Sequence, residues 1–265
     1  MLKRNNIDGQ GGRIVSSVNC IWKVSEDPPG SKNWLNAFWD PDRKQMIYGQ
    51  ATIDDKLRSL ASWLDIVAHE LFHGVTASTS KLEYVSEPGA LNESYSDIFA
   101  VIVSNLKEPD MSKWNWLIGD GLSTGLTAFR DFRDPARLGH PKIMSEYRQM
   151  APDDDYGGVH INSGIHNFAA YNIMIADDGA GERLFKPEES AAIFYIALTQ
   201  HLSRQSKFSD SRRAVLLAAR SLFRNLPQAN IDRRVHAIEA GLDAAEISET
   251  ENETGPLSGP EDVPG

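Results

Sequence analysis

Trp63-Leu64-Asp65-Ile66-Val67-Ala68-His69-Glu70-Leu71-Phe72-His73 decides how this chain is read. Within a helix, residues four apart lie on one face, so His69 and His73 can aim two imidazoles at one metal ion. Glu70 sits one step round the same helix and places a carboxylate beside that ion. Zinc in a catalytic site takes three protein ligands and keeps one position for water. Two histidines are therefore insufficient, and the five residues alone also fit ordinary surface or core histidines. The preceding residues extend the pattern. Ile53-Asp54-Asp55 resembles a helix start, and Leu57, Leu60, Leu64, Val67 and Leu71 recur at helical spacing, which predicts a helix from Ile53 through the motif.

The third ligand is expected from Gly89-Ala90-Leu91-Asn92-Glu93-Ser94-Tyr95-Ser96-Asp97. Glu93 and Asp97 share a helix face, and two acids together on an otherwise apolar helix repel unless something neutralises them. Zinc would do so with Glu93 as ligand and Asp97 accepting a histidine N–H. A solvated acidic face is the alternative, but Ile98 and Phe99 beside Asp97 argue for burial.

Outward from these helices, the fold class reads as α+β: a small β-rich N-terminal lobe, a central zinc-bearing helix and a mainly α-helical C-terminal lobe. Residues 1–13 are polar and glycine-rich and are expected to be disordered. Ile14–Trp22, Trp34–Asp40 and Gln45–Gln50 read as strands, with loops at Asp27–Ser31 and Asp40–Lys44. Residues 14–85 would form the shortened β-rich lobe with the active-site helix, and 86–247 the helical lobe. Residues 76–88 read as loop, and Lys107–Tyr156 as irregular surface with short helices. Helices are expected near Ala90–Leu106, Ile165–Ala176, Glu188–Ser203, Asp210–Asn225 and Ile231–Ala245. The acidic stretch 248–265 is expected to be a disordered tail.

Composition excludes several classes. A net charge of −10 argues against nucleic acid, whose phosphates require clustered Lys and Arg. No apolar run approaches the roughly 18 residues of a membrane span. A single cysteine, Cys20, permits no intrachain disulfide. No apolar h-region follows Lys3-Arg4, so the chain as written reads as cytoplasmic or as exported by a signal-independent route.

Nineteen residues separate His73 from Glu93. His-Glu-x-x-His followed at this distance by Asn-Glu-x-x-x-Asp resembles the thermolysin-like neutral zinc metalloproteases. A metzincin would carry Gly and His where Thr76 and Thr79 stand, and a zinc aminopeptidase would place its glutamate one residue nearer and carry a Gly-x-Met-Glu-Asn segment that this chain lacks. Asn36-Ala37-Phe38-Trp39 resembles the family's edge strand for substrate backbone, and Gly157-Gly158-Val159-His160-Ile161-Asn162-Ser163-Gly164 its catalytic-histidine signature. The resemblance covers roughly Ile14–Ala245.

The resemblance implies a zinc endopeptidase. One zinc ion would be held by His69, His73 and Glu93, with Asn92 and Asp97 behind them and Glu70 as general base. Tyr84 and His160 would donate to the oxyanion, with Asp155 orienting His160. Arg130, Asn36 and the Ala37 backbone would hold substrate. An apolar pocket of Leu57, Leu60, Ile66, Ile118, Leu122 and Phe129 would direct cleavage to the amino side of Leu, Phe, Ile or Val. The partners implied are a peptide or protein substrate and, as a candidate, a protein inhibitor; oligomeric state is left open. Two departures stand out. The lobe before Asn36 is short. The family's double calcium site looks dismantled: Asp65 and Asp120 are acidic, but Ser104, Asn115 and Leu117 fall where acids are expected, so tight calcium binding is not expected. The alternatives are a zinc-binding interaction protein and a narrowly specific, toxin-like protease.

Overall fold

The computed structural model describes residues 3–21, 34–53, 55–122 and 128–250. The expected loop at 27–31 and the tail beyond residue 250 lie outside them. A four-stranded sheet contains β1 (Ser16–Ser17), β2 (Trp34–Asp40), β3 (Gln45–Ile53) and β4 (Lys56–Ser59). β2 and β3 form a hairpin in the register Asp40↔Gln45 and Phe38↔Ile47. Its turn is built by Asp40, whose Oδ1 accepts the N–H groups of Asp42 and Arg43, both at 3.0 Å. β1 pairs with β3 in parallel and β4 pairs with it antiparallel, so among the described residues β2 is an edge strand. The β1 ladder is shorter than the expected Ile14–Trp22 strand.

The helix expected from Ile53 begins later. Ile53 pairs with Lys56 across a tight hairpin, with Asp55 in the left-handed region at φ 58°. A 3-10 turn at Leu60–Ser62 follows, started by the Ser59 hydroxyl accepting from Ala61 N–H. Only then does α1 (Leu64–Ser78) start. It runs past Gly74, Val75 and Thr76 to Ser78, so the loop expected at 76–88 is trimmed by α1 at its start and by the next helix at its end. α2 (Ser86–Ser104) begins one turn before Ala90, with Pro88 in the first turn, where its missing N–H costs nothing.

α2 is the axis of the molecule. It packs against both α1 and α3 (Asp155–Met174), and every residue from Gly89 to Ile102 is buried. A helix buried all round must be apolar or small on most faces, and Ala90, Ser94, Ser96 and Ala100 supply the small ones. Gly89 is required by close approach: a Cβ there would meet Val159 Cγ1 of α3 at 2.4 Å. Phe72 of α1 stacks on Phe99 of α2 with ring centroids 3.8 Å apart. α4 (Pro187–Ile196), α5 (Phe208–Phe223) and α6 (Gln228–Asp243) complete the helical lobe, with a π-helical turn at Ala197–His201 after α4. Among the described residues no helix is long and apolar enough to cross a membrane.

The N-terminal segment is docked, not loose as expected. Ile7 is 9% exposed and reaches the core beside Gly74. The Arg4 guanidinium donates to the Ile7 carbonyl, to Ser78 Oγ at the end of α1, and to Tyr195 OH of α4.

The calcium locus is closed by the protein itself. Asp65 Oδ2 accepts the Gly119 N–H at 2.7 Å, Asn115 Nδ2 donates to Asp120 Oδ2 at 3.0 Å, and the Ser104 hydroxyl donates to the Ala100 carbonyl. Two carboxylates, both engaged, do not fit an ion that takes six to eight oxygens. Calcium titrated into the zinc-loaded protein is therefore expected to give no saturable heat at micromolar concentration and to move the melting temperature by less than about 2 °C, the response to under 1 kcal/mol in a chain of this size. Two stoichiometric ions bound here would overturn that.

Candidate active site

α1 and α2 bring the metal donors together. The ligand atoms of His69, His73 and Glu93 lie within 4.8 Å of one another. His69 Nε2 is 3.4 Å from Glu93 Oε2, His73 Nε2 is 3.3 Å from Glu93 Oε1, and the two Nε2 atoms are 2.9 Å apart. The other nitrogens face acceptors. His73 Nδ1 lies 2.9 Å from Asn92 Oδ1 and 3.2 Å from Ser96 Oγ, and His69 Nδ1 lies 2.9 Å from Asp97 Oδ1, closer to an ion pair than to an aligned hydrogen bond. With a metal bound, protons on both Nδ1 atoms would leave both Nε2 lone pairs for it, beside a buried carboxylate. Among the described residues Glu93 Oε2 has no hydrogen-bond partner. Such a convergence of lone pairs and negative charge fits a cation, and two imidazoles with one carboxylate fit zinc.

The field of the cluster is strong. Burial opposes the charge on Glu93, but His160, His69 and His73 outweigh it and hold its pKa well below the ordinary value. Burial also opposes protonation of His69, yet Glu93 and Asp97 raise its pKa to about 10. For Glu70, burial dominates and lifts the carboxyl above its ordinary pKa, against the pull of His69 and His73. Glu70 is 5% exposed, and no hydrogen-bond partner of its Oε2 is found among the described residues. A carboxylate in this state is poised to accept a proton.

Across the cleft, the Tyr84 hydroxyl donates to Glu93 Oε1 and stands 3.1 Å from His160 Nε2. His160 is placed by an unusual entry to α3. Asp155, Tyr156, Gly157 and Gly158 all have positive φ, and the right-handed helix begins only after them. Glycines at 157 and 158 carry the φ values of 83° that side chains resist. The Asp155 carboxylate accepts from the backbone N–H groups of His160 (3.0 Å) and Ile161 (3.3 Å) and from the His160 ring at Nδ1. Glu93 and Asp155 raise the His160 pKa against burial.

A cleft of about 940 Å³ opens over these groups. Its walls include Asn36, Ala37, Glu70, Tyr84 and His160, together with Trp34, Lys81, Tyr156 and Arg204, which the sequence did not single out. Tyr156 sits with its ring 5.4 Å from that of Tyr84. The Asn36 side chain accepts its neighbour's N–H, from Ala37 at 2.8 Å, within a bulge of β2. Arg130 is placed differently from a cleft-wall residue. It is 9% exposed, pairs with Asp97 through two guanidinium nitrogens and lies 3.6 Å from Glu93. None of the six expected pocket residues lines this cleft. Leu60, Ile66, Ile118 and Leu122 are in the core, Phe129 packs against it, and Leu57 is exposed.

A two-helix cluster of two histidines and a glutamate, with a buried carboxylate beside it and a Tyr–His pair opposite, defines a single-zinc metallohydrolase. Comparison with known proteins narrows the class. The profile of the thermolysin metallopeptidase catalytic domain matches residues 1–77, and that of the thermolysin metallopeptidase alpha-helical domain matches residues 80–241. The chain belongs to the thermolysin metallopeptidase family. It is 36% identical over 239 residues to neutral protease NprE of Bacillus pumilus, covering 89% of this chain and 70% of that protein. It is 39% identical over 251 residues to a bacillolysin of Brevibacillus brevis, covering 92% of this chain but only 42% of the relative. The precursor of protealysin, a metalloproteinase from Serratia proteamaculans, superposes with a TM-score of 0.73 at 29% identity, over 93% of this chain and 72% of that one.

Proposed function

We propose that this chain is a zinc-dependent endopeptidase that hydrolyses peptide bonds in proteins. The carrying observation is the convergence of His69, His73 and Glu93 beside Glu70, in a cleft whose opposite wall presents Tyr84 and His160. When bound there, zinc supplies a Lewis acid that acidifies water and polarises a carbonyl. Glu70 takes the proton of the attacking water and delivers it to the leaving nitrogen. Tyr84 and His160, released from each other and from Glu93, donate to the developing oxyanion. Asp155 holds the His160 ring in the orientation that presents Nε2 to the cleft.

Substrate would lie along β2. An edge strand can add an extended peptide as a further strand, with Asn36 and Ala37 at the contact. The preference for a bulky apolar residue after the cut rests on membership of the family, because Leu57, Leu60, Ile66, Ile118, Leu122 and Phe129 do not line the cleft. The burial of Arg130 supports a role in holding Asp97 more directly than one in holding a substrate carbonyl. One relative named an extracellular elastase, from Staphylococcus epidermidis and 35% identical over 223 residues, supports export over residence in the cytoplasm.

The test is digestion of casein and of a mixed peptide library, read by mass spectrometry with and without a zinc chelator. Cleavage that the chelator abolishes and added zinc restores is expected, with Leu, Phe, Ile or Val following the cut. Zinc-loaded protein that leaves both substrates intact would overturn the general-endopeptidase reading and favour the narrowly specific alternative.

A further inference from the structure

Behind His69 lies a chain of buried polar groups that the hydrolytic chemistry does not use. Asp97 Oδ1 faces His69, and Asp97 Oδ2 accepts from Asn167 Nδ2 at 2.8 Å. Asn167 Oδ1 accepts the Ser94 hydroxyl at 2.7 Å. Ser94 Oγ is 2.7 Å from His166 Nδ1, His166 Nε2 is 2.8 Å from Ser211 Oγ, and Ser211 Oγ is 2.8 Å from the Tyr95 hydroxyl. None of these six side chains is more than 1% exposed. They come from α2, α3 and α5, so the chain ties three helices to the metal cluster.

Proton accounting gives the chain one direction. Asp97 faces the Arg130 guanidinium with both oxygens, Oδ1 accepting from one terminal nitrogen at 2.8 Å and Oδ2 lying 2.5 Å from Nε, the geometry of a carboxylate. Its oxygens only accept, so Asn167 must turn its NH₂ toward Asp97 and its carbonyl toward Ser94. Ser94 has one hydroxyl proton and gives it to Asn167. His166 must then donate to Ser94 from Nδ1, which leaves Nε2 bare to accept from Ser211. Ser211 in turn accepts from Tyr95. Burial drives the His166 pKa down to about 3, in keeping with a neutral ring, and Phe208 stacks on one face of it at 6.0 Å. Each of the five links then pairs one donor with one acceptor, so the line has a single consistent direction.

We propose that His166 is a positioning residue for the zinc site: acting through Ser94 and Asn167, it fixes the Asp97 carboxylate so that His69 keeps its proton on Nδ1 and presents Nε2 to the metal. Groups that orient a metal ligand from behind typically change metal affinity by about 10–100-fold when removed. The inference rests on the metal-site reading above, and its test separates the two.

The experiment measures zinc affinity of the full chain by competition with a fluorescent chelator, with circular dichroism and thermal unfolding of the metal-free protein as the record of folding. His166→Leu removes both ring nitrogens and is expected to weaken zinc binding by about 10-fold or more. His166→Asn places an amide N–H near the position of Nδ1 and is expected to recover most of that loss, which mere filling of the core would not do. Ser94→Ala breaks the line two links from Asp97 with the loss of one oxygen, and serves where His166→Leu does not fold. It is expected to weaken zinc binding to a similar degree. The cobalt-substituted forms of the weakened variants are expected to show a shifted visible spectrum. Zinc affinity within about twofold of the parent in folded Ser94→Ala and His166→Leu would overturn the positioning role while leaving the site intact. A parent chain that binds no zinc would overturn the site itself.

Discussion

Glu70→Gln lowers kcat on a cleavable peptide by roughly 10²–10⁴-fold, the usual contribution of a positioned general base, while the protein still binds one zinc ion. Glutamine has the same shape and fills the same buried space but cannot accept the water proton. The substitution also removes a carboxylate whose charge burial disfavours. Thermal stability is therefore expected to hold or rise. This combination separates a chemical role from a structural one, since a residue needed for packing would lower the melting temperature as well. The measurement is kcat alongside metal content and a melting curve. Activity within tenfold of the parent would remove Glu70 from the mechanism.

Chelation has the second large effect. Glu93 is 0% exposed, and the Nε2 atoms of the two histidines beside it crowd together at 2.9 Å. Zinc present at about a thousand times its dissociation constant stabilises the folded state by about 4 kcal/mol. In a chain of this length that corresponds to roughly 8–16 °C of melting temperature. Removing zinc with a strong chelator is expected to lower the melting temperature by that amount and to abolish cleavage. Re-addition of zinc should restore both. Identical melting with and without chelator would show that the cluster is satisfied without a cation.

The sequence made some of this legible, and the reason differs from residue to residue. The His69/His73 pair could be seen because it depends only on a local period of four. Glu93 followed because a second helix repeats that logic with two acids, and the strand Trp34–Asp40 because a turn-forming Asp-Pro follows it. The start of α1 was not legible. Leu57, Leu60 and Leu64 keep helical spacing, but Leu57 and Leu64 face solvent, 45% and 54% exposed. Pairing of residues 56–59 with β3 decides their structure, and no local period reports a long-range pairing. The continuation of α1 past Gly74 has a similar cause, since Ile7 and Trp39 pack against that glycine from distant parts of the chain. Docking of the N-terminal segment rests on one apolar residue and one arginine in a polar stretch. Lys81 and Arg204 meet in one cleft from positions more than a hundred residues apart. The His166 line joins three helices through single side chains, of which only Asp97 falls at a motif position.

Asp155 has a consequence of another kind. One of its oxygens receives the first backbone N–H groups of the right-handed part of α3, and the other receives the ring of His160. The same carboxylate both caps the start of a helix and holds the ring of a residue proposed to be catalytic. A substitution there is read twice, once in how the chain assembles and once in how fast it turns over. Helix start and ring orientation thus share one carboxylate, and Asp155→Ala is expected to change the melting temperature and the cleavage rate together.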